Sequence, residues 1–185
     1  MKFNFSNTKI SNLYVGERSK FENNVGTFER LFCKDQFKKI GFQNNIVQIN
    51  RNFTIHTGTL RGLHFQYSPF AEEKVVTCLK GSVFDVALDI RKNSPTFLKW
   101  HGEILSESNS KCMFIPKGFA HGFVTLVNNC EILYFHSEFY SSKNEGGILY
   151  NDPIINIKWP IEIKHLSERD KKHEKLNSSF KGVEI

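Results

Sequence analysis

The sequence lacks several features that would point to particular classes of protein. Its four cysteines include no Cys-x-x-Cys pair, so neither a zinc site nor a short secreted disulfide framework is indicated, and we expect reduced core thiols. No segment approaches the roughly 20 apolar residues of a membrane helix, and the polar, Asn-rich start lacks the apolar stretch of a signal peptide. These absences predict a cytoplasmic protein without membrane contact.

Acidic residues are too few to balance the basic ones. The 19 Asp and Glu face 25 Lys and Arg, which gives a formal net charge of +6. The lysines are scattered, with no run longer than the adjacent pairs Lys38-Lys39 and Lys171-Lys172. We therefore predict no nucleic-acid partner, because the sequence shows no cluster of basic residues. The net positive charge would also attract a small molecule that carries phosphate groups.

The composition favours strands over helices. With 39% hydrophobic residues in 185, the chain is long enough for one domain, which we place over residues 1–185. Aromatic residues make up 14%, with 18 Phe against 2 Trp, and this suits β-rich packing. Short helices are predicted within 33–40 and after Ser167, and a solvated tail from residue 175. Short runs rich in Val, Ile, Phe and Thr, separated by turn residues, predict an all-β jelly-roll sandwich or barrel with strands at 46–49, 75–79, 83–90, 112–115, 123–126 and 131–136.

One candidate cluster surrounds His64. The alternation of side chains along a strand would place His64 and Gln66 together on one face, with Arg61 on the opposite face. His64 and Gln66 would then point together into a barrel interior. Taken from this segment alone, a core or turn histidine is the commoner role.

Two further clusters carry groups that could take part in chemistry. His121 lies in a glycine-bordered segment, where a backbone or a ligand can approach closely. Tyr134 shares a strand face with His136, and a tyrosine phenol at a barrel mouth can deliver a proton. Asp85 and Asp89 share one face of the strand predicted at 83–90, which suggests a polar cavity. Each cluster alone is more often structural than functional.

The sequence also lacks the His-x-His pair with which small β-barrels often hold a metal. His64 is followed by Phe65 and Gln66, and His121 has no ligand two residues further on. We therefore predict no catalytic metal.

Six motifs follow one another along most of the chain, from about residue 26 to residue 170. They are Arg61-Gly62-Leu63-His64-Phe65-Gln66, Phe84-Asp85-Val86 with Asp89-Ile90-Arg91, Ser94-Pro95-Thr96-Phe97, Ile115-Pro116-Lys117-Gly118-Phe119-Ala120-His121-Gly122-Phe123, Asn151-Asp152-Pro153 and Ile157-Lys158-Trp159-Pro160. In this order they resemble the dTDP-4-dehydrorhamnose 3,5-epimerase family. The resemblance implies a metal-free cupin-type jelly-roll β-barrel with short peripheral helices and no cofactor. It also implies a homodimer whose N-terminal strands help to complete the partner's nucleotide site.

The resemblance further implies roles for matched positions. His64 would be the general base and Asp170 the carboxylate that holds its imidazole, while Tyr134 would be the general acid on the opposite face of the sugar. Lys74 would lie near the sugar O4, where a fixed ammonium could stabilise the enolate that forms. Arg61 would lie close to the diphosphate. The full set of implied substrate-binding positions is Arg61, Gln48, Asn50, Gln66, His121, Tyr140, Phe28, Glu29 and Arg30.

The predicted activity is inversion of C3, C5 or both in a nucleoside-diphosphate 4-keto-6-deoxy sugar. The default substrate is dTDP-4-dehydro-6-deoxy-D-glucose, used for rhamnose-type surface polysaccharide. Val25 stands where many relatives have an arginine that approaches the diphosphate, so the carrier stays open among dTDP, GDP and CDP. The alternatives are a single-centre epimerase or a 3,4-ketoisomerase acting on a GDP- or CDP-linked hexose or heptose, and a cupin that binds nucleotide sugars without catalysis.

Overall fold

The computed structural model describes all 185 residues, Met1–Ile185, and consists mainly of strands. Neither of its two helices, α1 (Lys34–Lys38) and α2 (Glu168–Lys171), has the length and apolar character of a membrane span. The strands are β1 (Phe3–Asn7), β2 (Tyr14–Arg18), β3 (Lys20–Asn23), β4 (Gly26–Glu29), β5 (Gln48–Thr54), β6 (Thr59–Gln66), β7 (Lys74–Lys80), β8 (Ser82–Asp89), β9 (Trp100–Ser106), β10 (Lys111–Ile115), β11 (Phe119–Thr125), β12 (Cys130–His136), β13 (Glu145–Gly147) and β14 (His165–Leu166).

Two large sheets form the barrel. The first has the order β1-β2-β10-β7-β12-β5, and the second has the order β13-β6-β11-β8-β9, with β14 paired to β6. Pairing is antiparallel throughout except for β14, and β3 and β4 make a separate hairpin. Val76, Met113 and Ile132 of the first sheet share a buried cluster with Ala87 and Phe123 of the second. The predicted all-β, cupin-type jelly roll is confirmed.

The outer face of the first sheet is covered by aromatic residues from the N-terminal third. Helix α1 lies where the sequence predicted a helix, with Asp35 in its first turn and Lys38 in its last, the arrangement that the helix dipole favours. Its Phe37 is fully buried, and Phe42 and Phe114 join the same cluster.

The outer face of the second sheet is covered by the C-terminal segment. Phe180 stacks on Phe97 with ring centroids 6.0 Å apart, and Val183 is buried and pairs with Arg91. The prediction of a solvated tail from residue 175 is wrong, because Leu176, Phe180 and Val183 complete an apolar layer that β8 and β6 would otherwise expose.

The pairing of β6 with β11 changes register in the middle of the strands. His64 lies opposite His121 and Arg61 lies opposite Phe123, so β6 has one residue more than β11 between these two pairs. Because His121 and Phe123 are two positions apart on β11, their side chains face the same way. The side chains of their partners, His64 and Arg61, therefore also face the same way. The extra residue falls at Gly62, whose φ is +122°. The prediction that Arg61 faces away from His64 is wrong, because this bulge interrupts the alternation.

Candidate active site

One cavity of about 770 Å³ is lined by both sheets and by α2, a size typical of a small-molecule site. Its lining is mainly polar. Of the site residues predicted from the sequence, it brings together His64, Tyr134, Asp170, Lys74, Arg61, Gln48, Asn50, Gln66, His121 and Tyr140.

His64 is held by the carboxylate of Asp170. Ser167 begins α2 by accepting a hydrogen bond from the Asp170 N–H at 3.1 Å, as its capping sequence predicts, and this directs the Asp170 side chain toward β6. Asp170 Oδ1 lies 2.6 Å from His64 Nε2, and Oδ2 accepts the Gly62 N–H at 3.3 Å. Burial alone would raise the pKa of Asp170, but the hydrogen bond and charge of His64 outweigh it, and the pKa falls to about 2. An ionised carboxylate only accepts, so in this contact His64 Nε2 is the donor and the imidazole ring is held in one orientation.

A second histidine and carboxylate lie beneath Tyr134. His121 Nε2 is 2.8 Å from Asp85 Oδ1, and Asp85 is fully buried on β8. The His121 ring meets the Tyr134 ring edge-on at 6.1 Å. Burial, and then the negative charge of Asp85, raise the pKa of Tyr134 well above its usual range. The phenol therefore keeps its proton at neutral pH and can donate it.

Glu72 joins Lys74 to a third histidine. The Lys74 Nζ lies 2.5 Å from Glu72 Oε1, and His136 Nδ1 lies 2.6 Å from Glu72 Oε2. Burial would raise the pKa of Glu72, but the charges and hydrogen bonds of Lys74 and His136 lower it to about 2. Sequence reasoning missed Glu72, because nothing in Glu72-Glu73 tells which carboxylate faces the cavity, and Glu73 in fact accepts from Asn44.

Gln66 supports the wall of the cavity rather than pointing a free amide into it. Its Nε2 donates to the Phe70 carbonyl at 2.9 Å, and its Oε1 accepts the Ser141 N–H at 2.6 Å. This amide therefore fixes the loop that carries Tyr140. The Tyr140 hydroxyl in turn donates to Glu145 at 3.0 Å.

Three guanidinium groups line the cavity, those of Arg51, Arg61 and Arg169. Gln48 and Asn50 project from the neighbouring β5, and the Gln48 amide donates to Asn50 Oδ1 at 3.2 Å. Sequence reasoning did not place Arg169 in the site, since it is one of several charged residues in a capping sequence. Together these groups give the cavity a cationic and amide-rich side that suits an anion.

Phe28, Glu29 and Arg30 do not reach the cavity of their own chain. Phe28 lies on the β3–β4 hairpin with 66% of its surface exposed, and Glu29 binds the Arg18 Nε at 2.9 Å. The separation has a simple cause, because the hairpin pairs with neither large sheet.

Only one group of side chains could hold a metal ion. His64, Asp170 and His173 have donor atoms within 4.8 Å of one another. The Arg169 Nη2, however, lies 2.9 Å from His64 Nε2, and its fixed positive charge opposes a cation there. The absence of a catalytic metal stays a prediction.

A jelly-roll barrel whose cavity combines a His–Asp pair, a half-buried protonated tyrosine and a buried lysine defines a cupin equipped for acid–base chemistry. Similarity to known proteins identifies the family within this class of cupins.

The sequence profile of the dTDP-4-dehydrorhamnose 3,5-epimerase family matches residues 7–178. A dTDP-4-dehydrorhamnose 3,5-epimerase of Shigella flexneri is 43% identical over 168 residues, which cover 90% of this chain and 92% of that protein. The solved dTDP-6-deoxy-D-glucose-3,5-epimerase of Legionella pneumophila, in complex with dTDP-4-keto-L-rhamnose, is 38% identical with a TM-score of 0.90, covering 96% and 94% of the two chains. The Bacillus anthracis dTDP-4-dehydrorhamnose 3,5-epimerase, with TDP and PPi bound, is 36% identical with a TM-score of 0.90, covering 94% and 99%. The chain therefore belongs to the dTDP-4-dehydrorhamnose 3,5-epimerase family, as its ordered motifs predict.

Proposed function

We propose that this protein inverts C3 and C5 of dTDP-4-dehydro-6-deoxy-D-glucose, a reaction that supplies a rhamnose-type sugar for surface polysaccharide. The observation that carries the proposal is the position of two groups on opposite sheets. His64, held by Asp170, projects from β6 of the second sheet, and Tyr134 projects from β12 of the first, into one cavity. Inversion needs a base on one face of a carbon and an acid on the other.

The first chemical step is removal of a proton beside the C4 ketone. The Nδ1 lone pair of His64 takes the proton from C5 or C3, the C–H electron pair becomes part of a C=C bond, and the C4 oxygen becomes an enolate. A preorganised cation stabilises that developing charge, and the buried ammonium of Lys74 is the group of the right type in this cavity.

The second step returns a proton to the other face of the same carbon. The Tyr134 phenol donates it, the C4 ketone re-forms, and the phenolate and the imidazolium then exchange with solvent before the next inversion. Each inversion therefore introduces one solvent hydrogen, and inversion of both centres introduces two.

The remaining cavity residues are proposed to bind the nucleotide and the sugar. Arg61 is proposed to bind the diphosphate, supported by its position beside His64 on the bulged strand. His121 and the Gln48 and Asn50 amides are proposed to contact the substrate, and Tyr140 is proposed to offer a stacking surface. Gln66 is proposed to act by holding the Tyr140 loop.

We also propose a homodimer in which Phe28, Glu29 and Arg30 complete the site of the partner chain. Support comes from the β3–β4 hairpin, which leaves Phe21, Val25 and Phe28 exposed by 59, 87 and 66%. An apolar patch of this kind marks an interaction surface. Light scattering on the purified protein distinguishes a dimer from a monomer.

The whole chain, residues 1–185, is proposed to form one domain that works in the cytoplasm. The four cysteines are free thiols, which suits a reducing compartment. The three buried clusters use opposite faces of the same two sheets, which suits a single folding unit.

Deuterium incorporation tests the proposed reaction. The protein is incubated in heavy water with dTDP-4-dehydro-6-deoxy-D-glucose, and in parallel with GDP- and CDP-linked 4-keto sugars. Mass spectrometry then counts the deuterons incorporated into each recovered sugar. Two deuterons with the dTDP sugar are expected. One deuteron would indicate a single-centre epimerase or a ketoisomerase, which NMR of the product separates. If no sugar incorporates deuterium despite measurable binding, the protein binds nucleotide sugars without catalysing their epimerisation.

A further inference from the structure

The carboxylate of Glu72 lies between two cavity side chains and contacts both. Its two oxygens are divided between them, Oε1 with the Lys74 Nζ at 2.5 Å and Oε2 with the His136 Nδ1 at 2.6 Å. Lys74 is 6% exposed, and the side chains of Glu72 and His136 are exposed by 10 and 12%. Burying any one of these three polar groups without a partner costs free energy, so their mutual contacts are what allow all three to be buried here.

His136 holds the carboxylate in place from the other side. Because the ionised Glu72 only accepts, the His136 Nδ1 must carry the proton that it donates. The other ring nitrogen, Nε2, lies 3.4 Å from the Asn50 amide nitrogen, and the ring stacks on Tyr134 at 5.8 Å with an 18° interplanar angle. Glu72 is thereby fixed relative to both β7 and β12.

The Lys74 ammonium has few groups in direct contact. On β12 its pairing partner is His136, with Tyr134 in the same cavity lining, and on β10 its pairing partner is the uncharged Ile115. The adjacent Glu73 is engaged with Asn44. The other charged and titratable groups of the cavity lie on other parts of the chain, namely Arg51, Arg61, His64, His121, Tyr140, Glu145, Arg169 and Asp170. Glu72 is the acidic group in direct contact with the ammonium.

We propose that Glu72 is a positioning residue for the reaction, which keeps the Lys74 ammonium charged and directed toward the sugar 4-keto oxygen. The inference rests on the proposed function, because it assigns Glu72 a role in stabilising the enolate of that reaction. A flexible lysine in a buried site loses its proton easily unless a counter-charge holds it. With Glu72 in contact, the ammonium is held ready before the substrate arrives.

The test compares Glu72→Gln with two matched variants. Glu72→Gln keeps the shape but removes the charge, so the alkaline limb of the kcat profile should move down by roughly 1 to 3 pH units, the usual effect of losing a close opposite charge. At neutral pH kcat should fall while KM stays near that of the wild type, because the ammonium acts on charge that develops in the transition state. Glu72→Asp keeps the charge and should keep the limb in place. Glu73→Gln alters the neighbouring carboxylate outside the cavity lining and should leave the profile unchanged.

The outcomes separate the two proposals. If the wild type exchanges deuterium and Glu72→Gln, folded by circular dichroism, keeps its alkaline limb, the positioning role of Glu72 is wrong and the proposed reaction stands. The positioning role is equally wrong if Glu73→Gln moves the limb as far as Glu72→Gln does. If the wild type exchanges no deuterium, the proposed reaction fails, and the role of Glu72 fails with it.

Discussion

Arg61 and His64 face the same cavity although they are three positions apart on β6, an interval that would place them on opposite faces of a regular strand. The bulge at Gly62 causes this, and it lies against Gly122 of β11. A Cβ on Gly62 would come within 2.6 Å of the Gly122 Cα and 2.7 Å of the His121 carbonyl oxygen. His64, the proposed base, and Arg61, which is proposed to bind the diphosphate, therefore line the same wall of the cavity. They do so because Gly62 and Gly122 allow the backbones of β6 and β11 to approach closely.

Gly62→Ala should lower both stability and activity. The φ of +122° at this position strains an alanine, and the added methyl group clashes with backbone atoms. The strain and the clash should each lower the free energy of unfolding by about 1 to 3 kcal/mol. Gly26→Ala is the matched control, since Gly26 has a φ of +146° but no atom within 4 Å of the added Cβ. Urea unfolding of both variants measures the difference. Equal losses would show that the close approach to Gly122 is unimportant.

The sequence predicted β8 well because Val86 and Leu88 alternate with polar residues such as Asp85. Both faces of this strand are nevertheless covered, since Val86 and Leu88 pack under the C-terminal segment while Val83 and Ala87 lie between the sheets. The bulge could not be predicted in the same way, because it depends on Gly122 in a strand about sixty residues away. Strand β9, with its central Gly102, carried no strong strand pattern, and Gly102 is needed there because Phe84 lies over it.

The terminal segments were harder to predict because their burial depends on distant partners. Phe3 and Phe5 alternate with polar residues on β1, a strand pattern hidden in an Asn-rich stretch, and Phe3 packs against Phe37 of α1. Val183 lies in a charged, polar tail and becomes buried only when that tail returns to the second sheet. The site was easier, since its motifs are local, but Glu72 carried no local signal.

His64→Asn should abolish deuterium incorporation while leaving dTDP affinity close to that of the wild type. Asparagine keeps a polar side chain but has no basic nitrogen, and loss of a general base costs on the order of 100- to 10,000-fold in rate. His56→Asn, at an exposed histidine outside the cavity, serves as the control. Turnover within a few-fold of the wild type would remove His64 from the mechanism.

Asp170→Asn should remove part of the acid sensitivity of the fold. The pKa of Asp170 is lowered to about 2, so this carboxylate stabilises the folded state fully above about pH 4 and loses its contribution as the pH falls toward 2. The difference in free energy of unfolding between wild type and variant should therefore shrink over that interval. Urea unfolding at several pH values measures it, with Asp35→Asn on the exposed side of α1 as control. A difference that does not change with pH would contradict the assigned ionisation.

Tyr134→Phe should slow inversion by about 100- to 10,000-fold while dTDP still binds, because phenylalanine fills the same space without the proton. Burial raises the pKa of Tyr134, so the phenol stays protonated and should produce no limb in the pH profile below about pH 10. Tyr14→Phe removes a hydroxyl from the aromatic cluster outside the cavity and should have little effect. Mass spectrometry and NMR should show deuterium entering C3 and C5 with retention once the acid is lost, because His64 can still remove and return a proton on its own face. Wild-type inversion at both carbons in this variant would transfer the role of general acid to another group.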